Sequence, residues 1–229
     1  MSFPVERLPS SSKGDEIASL MRFEIISGRL KKGDVVSENS LAKTYHASRS
    51  PAREALRILQ AEGLLRLERL GAVVVGLTEK DMEEINDVRF LIESFVMKEC
   101  AKNANDSLYA YLRYTLENMR ISAINNDFVE FSIQDITFHE AIIEASNHKR
   151  ILHVWKGIKN IVVTALLIAT EKRMMERDQI DNLIKKHSDI IDAMKDGDAQ
   201  KIEDALKIHF VDTRKTVFES IFTNQSMTE

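Results

Sequence analysis

The sequence predicts a mostly α-helical chain in two parts: a small N-terminal head of three short helices closed by a β-hairpin, and a larger antiparallel all-α bundle. Three observations carry this reading. Apolar residues recur at helical spacing almost throughout, and strand-like runs are confined to "LLRLE" and "AVVVGL". Only 3 prolines and 8 glycines punctuate 229 residues, which favours long helices with short joins. Charge is also divided. Residues 1–77 hold 12 Lys/Arg against 9 Asp/Glu, a net +3, whereas the remainder carries −7 of the overall −4. A basic head on an acidic body suits one part that meets an anion and one that does not.

The head is expected to span residues 1–77. "DEIASLMRFEIISGRLKKGD" places Ile17, Leu20, Met21 and Ile25 at helical spacing and closes at Gly28. A short apolar piece, Val35-Val36, follows. Ser37 is placed to cap a second helix, "ENSLAKTY", with Leu41 and Ala42 inward. After a tight His46-Ala47 join, Ser48 is placed to cap a third helix that Gly63 ends. Pro51 falls in its first turn, where a missing N–H costs nothing. The hairpin then turns at Arg69-Leu70-Gly71, giving it a basic tip. Three helices followed by a hairpin is the order of a winged helix-turn-helix.

On the third helix Ala52, Ala55, Leu56 and Leu59 share a core face, so Arg49, Arg53 and Arg57 line the opposite side with Ser48 and Ser50 near its start. A helix lying in a major groove reads bases with its first turns, where arginine forks onto guanine and hydroxyls reach phosphate. The competing reading is a solvated face in which Glu54 pairs with Arg57 at i,i+3.

The segment "LKKGDVVSENSLAKTYHASRSPAREALRILQAEGLLRLERLGAVVV" resembles the DNA-binding domain of the GntR family of bacterial transcription regulators. The matching residues are Gly28, Leu30, Gly33, Glu38, Leu41, Ala42, Ser48 to Leu56, Glu62-Gly63-Leu64 and Gly71. The resemblance implies groove contacts from Arg49, Ser50 and Arg53, with Arg69 and Gly71 on the wing. Two positions depart from the family pattern: Ala52 stands where Val is frequent, and Leu70 precedes the wing glycine where a basic residue is usual.

Residues 78–229 are expected to form the bundle. "LTEKD" marks the seam, with Thr78 and Asp81 at capping-box-like spacing. Helices are expected over about 79–103, 107–126, 127–145, 148–174, 176–196 and 198–222, with Gly197 closing the fifth and Asp198 capping the sixth. Within them Asp135 and His139 share a helix face, and His187 and His209 follow on later helices. One carboxylate and three imidazoles suit a divalent transition metal with open coordination positions. From spacing alone, satisfied core histidines explain the same pattern.

The order Asp-x-x-x-His, His-x-x-Ile-x-x-Ala-x-x-x-Gly-Asp and a last His resembles the FadR C-terminal (FCD) effector domain, matching Asp135, His139, Asn147, His187, Ile190, Ala193, Gly197, Asp198 and His209. This resemblance implies that Asp135, His139, His187 and His209 hold a metal, commonly Zn²⁺ or Ni²⁺, under a cavity for a small organic acid. Arg89 and Glu93 match the family's Arg-x-x-x-Glu. Arg89 is then either a fork for the effector's carboxylate or half of an i,i+4 pair. Asn160, and less so Trp155, could line the cavity; Trp155 is also read as core or dimer packing.

Bulk features bound the class. The composition, 44% hydrophobic and 30% charged, is that of an ordinary globular protein. Cys100 stands alone and fits a reducing compartment. The run Ile161–Ala169 is too short to span a bilayer, and the N-terminus lacks a signal-peptide core. The expectation is a cytoplasmic, homodimeric regulator, a repressor that binds a palindromic duplex DNA operator. Two alternatives stay open: a metal-free regulator sensing an acyl or other apolar effector, and a metal-dependent enzyme, for which only Glu140 adjoins a ligand.

Overall fold

The computed structural model describes residues 3–8, 10–69, 71–103 and 106–222. These fall into two compact units that meet at Glu79 and Lys80. The head contains α1 (Lys13–Ile26), β1 (Val35–Val36), α2 (Glu38–Thr44), α3 (Arg49–Ala61), β2 (Leu65–Glu68) and β3 (Gly71–Val74). The body contains α4 (Glu79–Lys102), α5 (Asp106–Ile124), α6 (Phe128–Ala145), α7 (Lys149–Arg173), α8 (Arg177–Asp196) and α9 (Ala199–Ile221).

In the head, α1 and α2 both pack on α3, and the sheet runs β1-β3-β2, antiparallel throughout. The third strand is a departure from the expected hairpin: Val35-Val36 pairs with Val73-Ala72 and extends the wing. Ile17, Met21, Ile25, Leu41, Ala52, Ala55, Leu56, Leu59, Leu64 and Val74 close one core. Each large aliphatic chain buried there contributes about 1.5–3 kcal/mol. A buried fork locks this core: Arg22 Nε and Nη2 each donate to a Glu62 oxygen at 2.7 Å, the side chains being 2% and 8% exposed. Ser37 forms the expected cap, a reciprocal box with Ser40. Ser48 occupies the N-cap of α3, but its side chain makes no capping hydrogen bond.

In the body, α5 packs on α6 and α8, α6 on α7, and α9 on α7 and α8. The first helix, α4, reaches its neighbours through long side chains: Phe90 lies edge-on to Phe210 with centroids 5.5 Å apart, and Lys98 donates to Glu203 at 2.6 Å. Gly197 adopts φ +75° at the end of α8, and the Asp198 side chain accepts from Gln200 and Lys201 N–H groups to start α9. Among the described residues α7 is long and apolar enough to cross a membrane by length and composition. Sequence judged only the Ile161–Ala169 run; the helix around it is 25 residues long. Trp155, Ile161, Val162, Ala165, Leu166, Leu167 and Ala169 of that helix are buried within the body.

Candidate DNA-reading face and metal centre

In the head, Ser48, Arg49, Ser50, Arg53 and Arg57 are all exposed, opposite the buried Ala52, Ala55, Leu56 and Leu59. Arg53 forks onto Glu38 of α2, Nε to Oε1 at 2.7 Å and Nη2 to Oε2 at 3.0 Å. Those hydrogen bonds raise the Arg53 pKa and lower that of Glu38. The carboxylate thus holds the guanidinium in place at the start of the exposed face. Glu54 does not reach Arg57. It accepts from Ser12 Oγ at 2.9 Å at the start of α1, and a Cβ added at Gly14 would lie 2.3 Å from its carboxylate. The i,i+3 pair that competed with the DNA reading is therefore replaced by a tie between helices. Arg69 is exposed at the end of β2. Leu70 lies outside the described residues. A Cβ at Gly71 would meet the Val36 carbonyl oxygen at 2.8 Å, so that glycine lets β1 approach β3.

In the body, α6 carries Asp135 and His139, α8 carries His187 and α9 carries His209, and all four are buried. Ligand atoms of the three histidines lie within 4.8 Å of one another. His187 Nδ1 sits 2.9 Å from the Leu183 carbonyl and donates to it, which leaves Nε2 as the nitrogen that could ligate. That Nε2 is 2.9 Å from Asp135 Oδ1 and 3.3 Å from His139 Nε2. His139 Nδ1 donates to Glu93 at 2.6 Å, and its Nε2 lies 3.4 Å from Asp135 Oδ1. With both Nε2 atoms deprotonated, three electron-rich atoms face one small space, an arrangement that a cation stabilises. Two nitrogens bound to a tetrahedral ion at about 2.0–2.1 Å lie ~3.3 Å apart, the spacing of the two Nε2 atoms. His209 Nδ1 is buried with no hydrogen-bond partner among the described residues. The donor set fits a divalent transition metal.

The electrostatics favour a fixed anion at Asp135 and a neutral ring at His209, while Glu93 favours the charged form of His139. Burial, reinforced by His187 and His139, holds the His209 pKa well below its usual value. Burial would raise the Asp135 pKa, but His187 and His139 outweigh it and hold the carboxyl well below its usual range. Burial also opposes the charged form of His139, yet the Glu93 carboxylate prevails and shifts it upward.

The expected effector residues are placed differently from one another. Arg89 is buried, donates from Nε to Glu93 at 2.6 Å and lies 4.9 Å over the Phe210 ring, leaving Nη2 without a partner among the described residues. Glu93 spends one oxygen on Arg89 and the other on His139, so it orients an imidazole. Asn160 is half-buried on α7, where its carbonyl accepts from Thr164. Trp155 is fully buried and donates to Glu140, which also accepts from Lys159. Sequence reasoning missed the wall beside Asp135, where a small cavity is lined by Thr170, Arg173, Leu183, Thr213 and Thr216. A signal for it was present: Thr213 and Thr216 follow His209 at four and seven residues and share its face.

The head is a winged helix-turn-helix of the kind carried by DNA-binding transcription regulators, here joined to an all-helical body that gathers four donors. The gntR family of bacterial regulatory proteins matches over residues 13–75 and the FCD domain over residues 84–212. The chain belongs to the GntR family and is a transcription regulator of its FCD-containing branch. It is 38% identical over 226 residues to the gluconate operon transcriptional repressor of Bacillus licheniformis, covering 98% of this chain and 93% of that protein. The gluconate operon transcriptional repressor of Bacillus subtilis (strain 168) matches with the same identity and coverage. Among solved structures, E. coli McbR/YncC superposes with a TM-score of 0.70 at 18% identity, covering 92% of this chain and 99% of that one, which speaks for the fold alone.

Proposed function

We propose that the protein is a cytoplasmic, homodimeric repressor that binds a palindromic operator and is released by a small hydroxy acid of the gluconate type. The observation that carries the sensing half is the convergence of Asp135, His139, His187 and His209 from three helices on one buried point. A divalent ion held there would supply open coordination positions for a carboxylate. The chain's own residues do the rest. Glu93 fixes the His139 ring, the Leu183 carbonyl fixes His187, and Arg89 Nη2 is a buried donor available to an acid group. The two 38%-identical relatives are gluconate operon repressors, which makes gluconate the first acid to try.

For DNA, α3 enters the major groove with Arg49, Ser50 and Arg53, flanked by Ser48 and Arg57, and Arg69 on the wing reaches the backbone nearby. Dimerisation is supported by exposed apolar side chains on neighbouring helices: Leu91 (68%) on α4, and Ile208 (61%) and Val211 (69%) on α9. The enzyme reading finds no support, since Glu140 is held by Trp155 and Lys159 and the relatives are repressors. A metal-free acyl sensor would leave the four converging donors without a purpose.

Selection from a random duplex library, followed by fluorescence anisotropy, tests the proposal. Two chains are expected to bind one pseudo-palindromic duplex, and D-gluconate is expected to release it in Zn²⁺ or Ni²⁺ but not after chelation. Absence of any preferred sequence, or release that ignores chelation, would overturn the corresponding half.

A further inference from the structure

The cavity beside Asp135 has a composition of its own. Its walls come from α6, α7, α8 and α9, and it offers hydroxyls from Thr170, Thr213 and Thr216 together with the Arg173 guanidinium. Arg173 is the last residue of α7, its side chain only 4% exposed. Its Nη2 is engaged, bonding Thr216 Oγ1 and lying 3.2 Å from Asp212 Oδ2. Its Nε is buried and has no hydrogen-bond partner among the described residues, and neither has Thr213 Oγ1 on a residue 6% exposed. An unsatisfied buried donor costs free energy comparable to a lost hydrogen bond, so two on one small cavity point to a group that completes them. Charge points the same way. Lys186 Nζ also lies on Asp212 Oδ2, at 3.1 Å, so two cations share that single carboxylate. Asp135, the acid that lines the cavity, is committed to His187 and His139.

Resting on the proposed metal-assisted sensing of an acid, we infer that Arg173 and Thr213 form the recognition wall of the effector site: Arg173 Nε binds the carboxylate and the threonine hydroxyls, Thr213 foremost, read the hydroxyls of a hydroxycarboxylate. A charged donor suits the carboxylate. A hydroxyl both donates and accepts, so threonines match a polyhydroxy chain and penalise an acyl chain, which would leave them unpaired. The cavity has a free volume of about 10 Å³, room for one oxygen-sized group. A whole acid therefore seats only when side chains of α7, α8 and α9 give way. Ligand occupancy and the placement of those helices become linked, as effector control of a regulator requires.

The test uses the full-length protein with Zn²⁺, titrated calorimetrically with D-gluconate, glycerate, lactate and hexanoate, with Zn²⁺ uptake measured separately. Arg173→Gln is expected to weaken the hydroxy acids about 10- to 100-fold while Zn²⁺ uptake persists. Arg173→Lys retains the charge facing Asp212 and guards against misfolding. Thr213→Val, nearly isosteric, is expected to weaken D-gluconate and leave hexanoate, the weaker ligand, unchanged. Unaltered D-gluconate binding in both Arg173 variants, or binding of none of the hydroxy acids by the wild type, would overturn the inference and leave the metal reading standing on its own uptake data. D-gluconate binding that needs Arg173 yet persists without metal would instead sink the metal reading and keep this one.

Discussion

Charged side chains serve opposite ends in the outer face of α3 and the interior of the body. On α3 the arginines lie in water, and the Arg53 fork onto Glu38 is an exposed pair that can exchange its partner for phosphate or a base edge. In the body Arg89, Glu93, Asp135 and the three histidines are buried, and hydrogen bonds hold Arg89, Glu93, Asp135, His139 and His187 in fixed directions. Exposed charge can be spent on a large partner that brings its own surface. Buried charge suits a small ligand, because its orientation is set before the ligand arrives. The difference teaches where each half should be sensitive: the face to single charges, the interior to geometry.

Mutations can break or sharpen that contrast. The largest expected effect lies where the head breaks its own pattern, at the buried Arg22–Glu62 fork. Arg22→Met leaves a buried carboxylate alone and is expected to cost about 3–5 kcal/mol of head stability, read by urea unfolding. A change within about 0.5 kcal/mol, typical of surface positions, would show that the pair is not buried in solution. Glu93→Gln keeps the shape of the side chain but removes the charge behind His139. Metal affinity is expected to fall about 10- to 100-fold, read by competition with a chromogenic chelator, with operator affinity of the metal-free protein unchanged. Arg53→Ala should do the reverse, weakening specific operator binding about 5- to 100-fold by anisotropy at fixed salt while metal uptake stays intact. Equal loss on random duplex would reduce Arg53 to a phosphate contact. The smallest effect is expected at the exposed cap of α9: Asp198→Ala should lower body stability by about 1 kcal/mol, seen in thermal unfolding, and move neither binding activity.

The head was legible almost residue by residue because its signals are local. The Ser37 cap, the Gly63 stop and the Ala/Leu stripe of α3 each act within one turn or one helix. What escaped was long-range: β1 joining the sheet across β3, and Glu54 reaching back to Ser12. In the body, helix limits followed from periodicity, and resemblance named the four donors that the fold brings together. Arg89 and Glu93 show where sequence reasoning stops. Their i,i+4 spacing is compatible with a surface pair or an effector fork, and only packing against Phe210 and His139 shows that the pair is buried and aimed at an imidazole. Arg173 carried no expectation at all, since nothing local distinguishes a buried guanidinium at a helix end from a solvated one.

The convergence of Asp135, His139, His187 and His209 is what makes the body the proposed metal-assisted sensor. The most direct measurement is elemental analysis of the protein purified without chelator or nickel resin, beside His139→Ala. About one zinc or nickel per chain, absent from the variant, is the expected result. No metal in either protein, even after equilibration with Zn²⁺ or Ni²⁺, would contradict the account.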